Sequence, residues 1–187
     1  KMLPLIRAGR KRAASPYALE CARECAKLTA DVLHTLGRLL GRSRPGTAAL
    51  AWPVSGRILN TWYYATGKVH GAVDIAARLD TKVGAARRGK VALARTGWNN
   101  GFGNYVRISH VNGYTTDYRH LHRILTAKGR AVECATTIGL AGTSGDAKKI
   151  SQVHFELRRF GTRLVIPAKA GKTVLKGAAT GGSWPAF

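Results

Sequence analysis

The N-terminal part of the chain has apolar residues at helical spacing. Leucine, valine, alanine, cysteine and threonine recur there at steps of three and four, and no proline interrupts them. This spacing predicts an amphipathic helix over residues 17–41, with Ser15 as its N-cap and Pro16 at its first position. We expect residues 1–16 to form a basic tail and residues 42–50, which contain glycine and proline, to form a linker.

From Trp52 onward the periodicity changes from helical to alternating. Short stretches such as GRILNTW, AVDIAA, NYVRISHV and VHFELRR alternate apolar with polar residues or are rich in β-branched and aromatic side chains. About seven short strands separated by glycine or asparagine turns predict a mainly β fold: a compact antiparallel sheet, a sandwich or a partly closed barrel. We assign this domain to residues 51–170 and expect the glycine-rich residues 171–187 to form a loosely held tail.

Composition supports one globular domain and adds a strong positive charge. Hydrophobic residues make up 45% of the 187 residues and there are 22 glycines, which suits one apolar core with many turns. No stretch approaches the roughly 20 apolar residues of a membrane-spanning helix. The net charge of +22 favours anionic partners such as nucleic acid, anionic cell-wall polymer or acidic lipid. Because basic residues are spread along the whole chain, a generally basic surface explains the charge equally well.

The cysteines and the N-terminal residues leave the cellular compartment open. Cys21 and Cys25 share one helical face, where a disulfide between them would be strained, so we interpret them as small apolar residues. Cys134 is distant in the sequence, and the three thiols lack the spacing of a metal knuckle. The first residues lack the long apolar core and the cleavage site of a secretory signal, so no signal peptide is visible.

Two short segments place metal-binding side chains on strands. In VHGAVDIAA, His70 and Asp74 are four residues apart and project from the same face of a strand. An imidazole and a carboxylate are two of the ligands of a three-ligand zinc site, and an ordinary His–Asp hydrogen bond is the alternative. In QVHFELRR, His154 alternates with core residues and shares its strand face with Gln152.

A third segment, DYRHLHR, contains two further histidines. His120 follows Tyr118 at strand spacing and precedes His122 on the same predicted strand face. For His122, a surface histidine without a chemical role is the alternative. Each segment alone is unspecific, whereas the order of all three and their flanking residues are specific.

Together these segments resemble the lysostaphin-type (LytM-type) zinc metallopeptidases, which hydrolyse peptide bonds in bacterial peptidoglycan. The resemblance covers roughly residues 52–167 and rests on matches in the family's order: WPVSGRI, HGAVDIAA for HxGxDIAA, YRHLHR for YxHL, GLAGTSG for a glycine-rich turn and QVHFELRR for HxHFE. It implies the compact antiparallel fold of that family, here with an N-terminal amphipathic helix.

The resemblance also implies roles for individual residues. His70, Asp74 and His154 match the zinc ligands, and a water or substrate oxygen would take the remaining coordination position. His120 matches the catalytic histidine beside this water, where it would assist deprotonation or stabilise the oxyanion. The side chains expected along the substrate groove are Tyr118, Asn104 and His122.

One residue departs from the family pattern. The closing motif usually carries two histidines, and Gln152 stands in place of the first, catalytic one. Its amide can donate a hydrogen bond to an oxyanion but cannot act as a base, and losing a general base commonly lowers the rate by about 10²- to 10⁴-fold. His122 is a candidate to compensate for this loss.

The sequence therefore supports three hypotheses about function. The first is an active zinc endopeptidase that cuts peptidoglycan, either outside the cell, in the periplasm or on a phage particle at the wall. The second is a catalytically impaired relative that binds the wall or activates another hydrolase. The third is a basic structural subunit of a larger, nucleic-acid-containing assembly, in which the helix over residues 17–41 docks onto a partner protein.

Overall fold

The fold is almost entirely β, which confirms the predicted fold class. The computed structural model of the chain describes residues 50–147, 149–182 and 184, so the predicted tail and helix at the N-terminus lie outside the described residues. The strands within the described residues are β1 (Gly56–Asn60), β2 (Val73–Ala76), β3 (Lys82–Gly84), β4 (Gly89–Arg95), β5 (Asn104–Ser109), β6 (Tyr114–Leu121), β7 (Arg123–Ile124), β8 (Ala131–Val132), β9 (Thr137–Leu140), β10 (Gln152–Arg159), β11 (Thr162–Leu164) and β12 (Thr173–Val174).

The strands form two antiparallel sheets. The larger sheet has the order β12-β1-β2-β10-β6-β5-β4-β8, with β11 paired to β10, and the smaller sheet has the order β3-β9-β7. One apolar cluster joins both sheets, since Val83 of β3 and Ile138 of β9 belong to it together with Ile75, Val106 and Phe155 of the larger sheet. The inner face of the larger sheet therefore forms the core.

Alternation along the central strand β10 separates core side chains from polar ones. Phe155 packs its ring against that of Tyr118 on β6, with ring centroids 5.4 Å apart. His154 and Glu156, its sequence neighbours, project from the opposite face of the sheet. The outer face of the larger sheet is therefore the one that carries ionisable groups.

Residues 171–180 are bonded into the domain, which differs from the loose tail predicted for residues 171–187. β12 pairs with β1, Thr180 donates its N–H to the Leu50 carbonyl oxygen, and Trp52 donates its N–H to that of Ala178. Leu50, which the sequence assigns to the linker, is fully buried. The glycine content of this segment predicts mobility, but its bonds to β1 and to the residues before β1 join parts of the chain that are far apart in the sequence.

Cys134, the one cysteine within the described residues, is a free and exposed thiol. Its Sγ lies 3.7 Å from the carbonyl oxygen of Ala86, and Cys21 and Cys25 lie outside the described range. Over that same range, no helix is both long and apolar enough to cross a membrane.

A chain of hydrogen bonds, buried at Tyr118 and more exposed at His110, links β6 to the segments around it. Ala86 donates its N–H to the Tyr118 hydroxyl (2.7 Å), which lies 2.8 Å from Thr116 Oγ1. Thr116 Oγ1 lies 2.8 Å from His110 Nε2, and His110 Nδ1 lies 2.8 Å from the Arg88 carbonyl oxygen. All these groups have partners when the Tyr118 hydroxyl donates to Thr116 Oγ1, the Thr116 hydroxyl donates to His110 Nε2, and the His110 Nδ1–H donates to the Arg88 carbonyl oxygen. This arrangement requires a neutral His110.

We expect His110 to make the stability of the domain depend on pH. Burial, opposed in part by the bond to the Arg88 carbonyl, lowers the pKa of His110 to about 4. As the pH falls below about 6.5, His110 is protonated in the unfolded chain before it is protonated in the folded domain. The neutral His110 therefore contributes its full stabilisation, at most about 3 kcal/mol, above pH 6.5. This contribution is lost as the pH falls toward 4. Urea unfolding at pH 7 and at about pH 4.5 should show a larger loss of stability in the natural protein than in His110→Gln. Equal losses would contradict the prediction.

Candidate metal centre

Three buried side chains converge on the outer face of the larger sheet. The register of β2 and β10 sets His154 directly opposite Asp74, and His70 lies four residues before Asp74, just ahead of β2. The three residues are between 4% and 9% exposed. The fold therefore brings the predicted ligands together, two through strand pairing and one through local sequence.

The three facing ligand atoms form a small triangle. His70 Nε2 lies 3.1 Å from His154 Nδ1 and 3.2 Å from Asp74 Oδ1, and His154 Nδ1 lies 2.9 Å from Asp74 Oδ1. Ligand atoms about 2.0–2.1 Å from a tetrahedral zinc ion lie roughly 3.3–3.4 Å apart, so each side of the triangle needs to widen by only about 0.1–0.5 Å. Two imidazoles and a carboxylate are also a donor set that zinc accepts, so these residues fit the ion.

Other protein groups hold the far side of two of these ligands. His70 donates its Nδ1–H to the carbonyl oxygen of Thr61 (2.8 Å), which leaves the Nε2 lone pair facing the triangle. Asn60 donates to Asp74 Oδ2 (2.9 Å), which leaves Oδ1 facing the triangle. Such outer partners fix the tautomer and the orientation of ligands in metal sites.

An ion network holds the third ligand. His154 Nε2 lies 3.1 Å from Glu156 Oε1, and Glu156 pairs with Arg119 (2.7 Å) and Arg158 (2.6 Å). Burial would raise the pKa of Glu156, but the bond to His154 and the charge of Arg119 outweigh it and lower the pKa to about 2. Glu156 is therefore ionised and accepts the Nε2–H of His154, which leaves Nδ1 facing the triangle. Glu156 has no predicted role in the sequence, although its place two residues after His154 puts it on the same strand face.

The triangle concentrates acceptor atoms around one point and so attracts positive charge. Burial would raise the pKa of Asp74, but hydrogen bonds with His154 and His70 outweigh it and hold this pKa well below its ordinary value. Burial would lower the pKa of His154, and the bonds to Asp74 and Glu156 outweigh it and raise this pKa. Both pKa shifts arise because a carboxylate and two imidazole nitrogens are in contact. A proton or a metal ion between these atoms stabilises the arrangement.

The triangle borders a cleft of about 220 Å³. His120 and Gln152 line this cleft beside the predicted ligands Asp74 and His154. Gln152 is 8% exposed and lies two residues before His154 on β10. The other side chains that line the cleft are Leu59, Asn60, Tyr64, Asp146, Ala147 and Ile150. The two residues with predicted catalytic roles therefore lie next to the predicted metal site.

A β-bulge turns His120 toward the cleft. β5 and β6 pair Val106 with Tyr118 and Asn104 with Leu121, so three steps along β6 oppose two along β5, and His120 has a left-handed φ of 61°. The bulge sends the side chains of Tyr118 and His120 to opposite faces of the sheet. Residues two apart on a regular strand would place their side chains on the same face of the sheet. The extra residue of the bulge breaks this alternation between Tyr118 and His120.

The surroundings of His120 keep its imidazole neutral. Its Nδ1–H donates to the Ser144 carbonyl oxygen (2.9 Å), which leaves Nε2 as an acceptor. Burial, opposed in part by this bond, lowers the pKa of His120, and its ring centroid lies 5.8 Å from that of His154. His120 can therefore accept a proton beside the metal site at neutral pH.

The three side chains predicted along the substrate groove lie elsewhere. Tyr118 is fully buried in the core. Asn104 braces a turn, because it accepts the N–H of Gly97 (2.9 Å) and donates to the His122 carbonyl oxygen (2.8 Å). The His122 imidazole is half-exposed and contacts Asp80 Oδ1 (2.6 Å). None of the three lines the cleft, because Tyr118 faces the core, and Asn104 and His122 bond to neighbouring loops.

The cleft also contains side chains to which the sequence analysis gives no role. Tyr64 is 40% exposed and tilts its ring against His70, with ring centroids 4.4 Å apart. Asp146 lies in a turn after β9, with Oδ1 3.9 Å from His120 Nε2. Both residues belong to loops, where neither strand alternation nor helical spacing reports the direction of a side chain.

Tyr118→Phe tests the placement of this residue in the core. The substitution removes a buried hydroxyl that bonds the Ala86 N–H and the Thr116 hydroxyl, so we expect the free energy of unfolding to fall by about 1–3 kcal/mol. Urea unfolding measures the loss, and Tyr63→Phe, at an exposed tyrosine, is the matched control. A change no larger than that of the control would contradict the assignment.

Comparison with known proteins adds the family. A profile of peptidase family M23 matches residues 68–167. The chain is 33% identical over 117 residues to a lipoprotein NlpD/LppB homolog of Pseudomonas aeruginosa, over 63% of this chain and 38% of that protein. It is 38% identical over 89 residues to the peptidoglycan DD-endopeptidase ShyA of Vibrio cholerae, over 47% of this chain and 20% of that protein. The matched regions are therefore well under half the length of both relatives.

Solved structures share the fold. A zinc-containing peptidase from Vibrio cholerae superposes with a TM-score of 0.57 and 29% identity, over 64% of this chain and 39% of that one. The catalytic domain of lysostaphin from Staphylococcus simulans superposes with a TM-score of 0.50 and 25% identity, over 60% and 88% of the two chains. These similarities confirm the resemblance found in the sequence. Because the family profile covers 100 of the 187 residues, the chain belongs to peptidase family M23.

Proposed function

We propose that this chain is a zinc metalloendopeptidase that hydrolyses peptide bonds in bacterial peptidoglycan. The observation that carries the proposal is the triangle of ligand atoms from His70, Asp74 and His154, with sides of 2.9, 3.1 and 3.2 Å, beside a neutral His120 in the same cleft. Membership of the M23 family and similarity to a protein named as a peptidoglycan DD-endopeptidase support the substrate class.

The residues around the cleft divide the chemistry among them. Zinc, when bound, supplies Lewis acidity, which lowers the pKa of water toward about 7 and polarises a carbonyl group. His120 Nε2 would accept a proton from the attacking water and return it to the leaving amine. Gln152 cannot take up a proton, and its amide would donate a hydrogen bond to the carbonyl oxygen as negative charge develops there.

Backbone contacts hold His120 for this role. Its own N–H donates to the Phe102 carbonyl oxygen (3.0 Å), and its imidazole donates to the Ser144 carbonyl oxygen (2.9 Å). The second bond selects the tautomer in which Nε2 carries the lone pair, which is the tautomer that a general base needs. A single histidine held in this way would perform both proton transfers.

Gln152 supports a second candidate function, that of a catalytically impaired relative that binds the wall or activates another hydrolase. It occupies the cleft beside His154, where the family pattern has a second imidazole for proton transfer. The relative from Pseudomonas aeruginosa is named as a lipoprotein. An impaired relative would still bind zinc, and it would differ from the active endopeptidase only in its failure to cleave peptidoglycan.

The bacterial cell envelope is the proposed location. Peptidoglycan as substrate lies outside the cytoplasmic membrane, and the relative named as a lipoprotein agrees with an envelope location. The net charge of +22 would hold the protein on anionic wall polymer by a salt-dependent attraction. A phage particle, nucleic acid and a protein partner for the helix over residues 17–41 stay predictions from the sequence.

Metal content tests the site directly. After equilibration with zinc and dialysis against metal-free buffer, the natural protein should retain one zinc per chain by plasma mass spectrometry. His154→Ala should lose its zinc. Removal of a residue that contacts a ligand typically lowers metal affinity by about 10- to 100-fold, and removal of the ligand itself should lower it further. His122→Ala is the matched control, since this imidazole lies outside the triangle. Absence of zinc from the natural protein, or equal loss in both variants, would contradict the site.

Turnover of purified peptidoglycan tests the two predicted catalytic residues. His120→Ala should keep its zinc and lower the rate by about 10²- to 10⁴-fold, because a general base is lost. Gln152→His supplies a second imidazole and should raise the rate by up to about 10²-fold. Chromatography of the released soluble fragments measures both effects, and His122→Ala should cleave like the natural protein.

The same assay separates the two candidate functions. Cleavage that persists in His120→Ala would contradict the proposed mechanism. A natural protein that binds zinc without cleaving, combined with cleavage by Gln152→His, would favour the impaired relative. Cleavage by the natural protein that stops on chelation and returns with zinc would favour the enzyme.

A further inference from the structure

We propose that Asp146 makes the cleft selective for peptides that carry a free, positively charged amino group beside the scissile bond. The inference rests on the proposed function, because it concerns the same cleft. It adds a substrate class, namely cationic peptides in preference to those whose amino group is blocked.

The Asp146 side chain lies where an incoming substrate meets the proposed base. Its Oδ1 is 3.9 Å from His120 Nε2, and the side chain is 68% exposed. It lines the cleft together with Asp74 and His154. A substrate group that approaches His120 from solvent therefore comes within contact distance of a carboxylate.

Close backbone packing fixes the turn that carries this carboxylate. Asp146 donates its N–H to the Gly101 carbonyl oxygen (2.9 Å). A Cβ atom on Gly101 would lie 2.8 Å from Asp146 Oδ2, and both Gly101 (φ +87°) and Gly145 (φ +70°) occupy the left-handed region that glycine adopts freely. Gly101 therefore leaves space for the carboxylate at the cleft wall, and Gly145 leaves space for the backbone of Gly101 and Gly103.

Other acidic residues of the described chain are engaged differently. Three of them are buried with histidine or arginine partners: Asp74, Asp117 and Glu156. Asp80 contacts His122 (2.6 Å) away from the cleft. Asp146 is the acidic side chain that combines exposure to solvent with a place in the cleft, so its charge is available to a ligand.

Screening explains why a local carboxylate can select a cation on a strongly basic protein. The net charge of +22 attracts anions, but charges more than about 8 Å away are largely screened at physiological ionic strength. At contact distance the Asp146 carboxylate can pair directly with a substrate ammonium group, and distant charges add little to that contact. An exposed ion pair with an ammonium group is worth up to about fivefold in binding or rate.

Asp146 could act instead as a positioning residue by stabilising the protonated form of His120. That role concerns the base alone, so its loss would slow cleavage of every substrate by the same factor and would shift the pH profile. Recognition of an amino group concerns the substrate, so its loss would change the ratio of rates between two substrates. The two roles are therefore distinguished by the ratio of the cleavage rates on two substrates, one with free and one with blocked amino groups.

The test compares two preparations of one substrate. Purified peptidoglycan is assayed untreated and after acetylation of its free amino groups, with the natural protein, Asp146→Asn and Glu133→Gln. Glu133 is exposed and lies outside the cleft, so its substitution removes the same unit of charge as a matched control. We expect the natural protein and the control to prefer the untreated material by about fivefold at low salt, and Asp146→Asn to lose this preference. The preference should shrink as salt is added.

The outcomes separate the inference from the proposed function. A preference that survives in Asp146→Asn, or equal slowing on both preparations with a shifted pH profile, would overturn the inference and leave the endopeptidase intact. If the natural protein cleaves neither preparation, the proposed function fails and sedimentation binding to the two preparations decides. Preferential binding to untreated wall that depends on Asp146 would support the inference, and indifferent binding would overturn it.

Discussion

The site depends on the antiparallel pairing of β2 with β10. Their register sets His154 opposite Asp74, at the short distance that cross-strand neighbours share. A slip of one residue would turn His154 into the core and expose Phe155 on the outer face. The apolar contacts of Phe155, Val153 and Leu157 therefore fix the position of the metal ligands without contacting a metal. Burial of the core and assembly of the site are the same folding event.

Charge beneath the site is buried and paired. Asp117 and Glu156 are fully buried on neighbouring strands, and Arg119 lies between them, 3.3 Å from the first and 2.7 Å from the second. Its guanidinium also stacks 3.6 Å from the centroid of the Phe102 ring. Because removing one partner of a buried pair costs about 3–5 kcal/mol, the network acts as a unit. Through Glu156 it determines the orientation of His154 as a ligand.

Regular strands and irregular segments have different tasks in this cleft. The strands supply Asp74 and His154, whose positions follow from register. His120 comes from a bulge with a left-handed backbone, a conformation that costs of order 1–3 kcal/mol for a residue other than glycine and persists only where surrounding contacts hold it. Bonds to Phe102 and Ser144 provide that support. The bulge therefore directs His120 into the cleft, whereas strand register alone sets Asp74 opposite His154.

The sequence by itself determined the β architecture from its alternation, and residue identity and motif order pointed to His70, Asp74 and His154 as ligands. Alternation is a short-range pattern that can be read directly from the sequence, and the order of the motifs carries the family resemblance that implies the ligands. The tertiary structure alone decided that Tyr118 faces the core and that the C-terminal segment bonds to β1 and the residues before it. It also decided which further polar side chains contact the metal ligands or line the cleft. Those side chains are Asn60, Tyr64, Asp146 and Glu156. Each outcome depends on a bulge, a loop or a contact between distant segments, and local periodicity carries no information about which distant groups will meet.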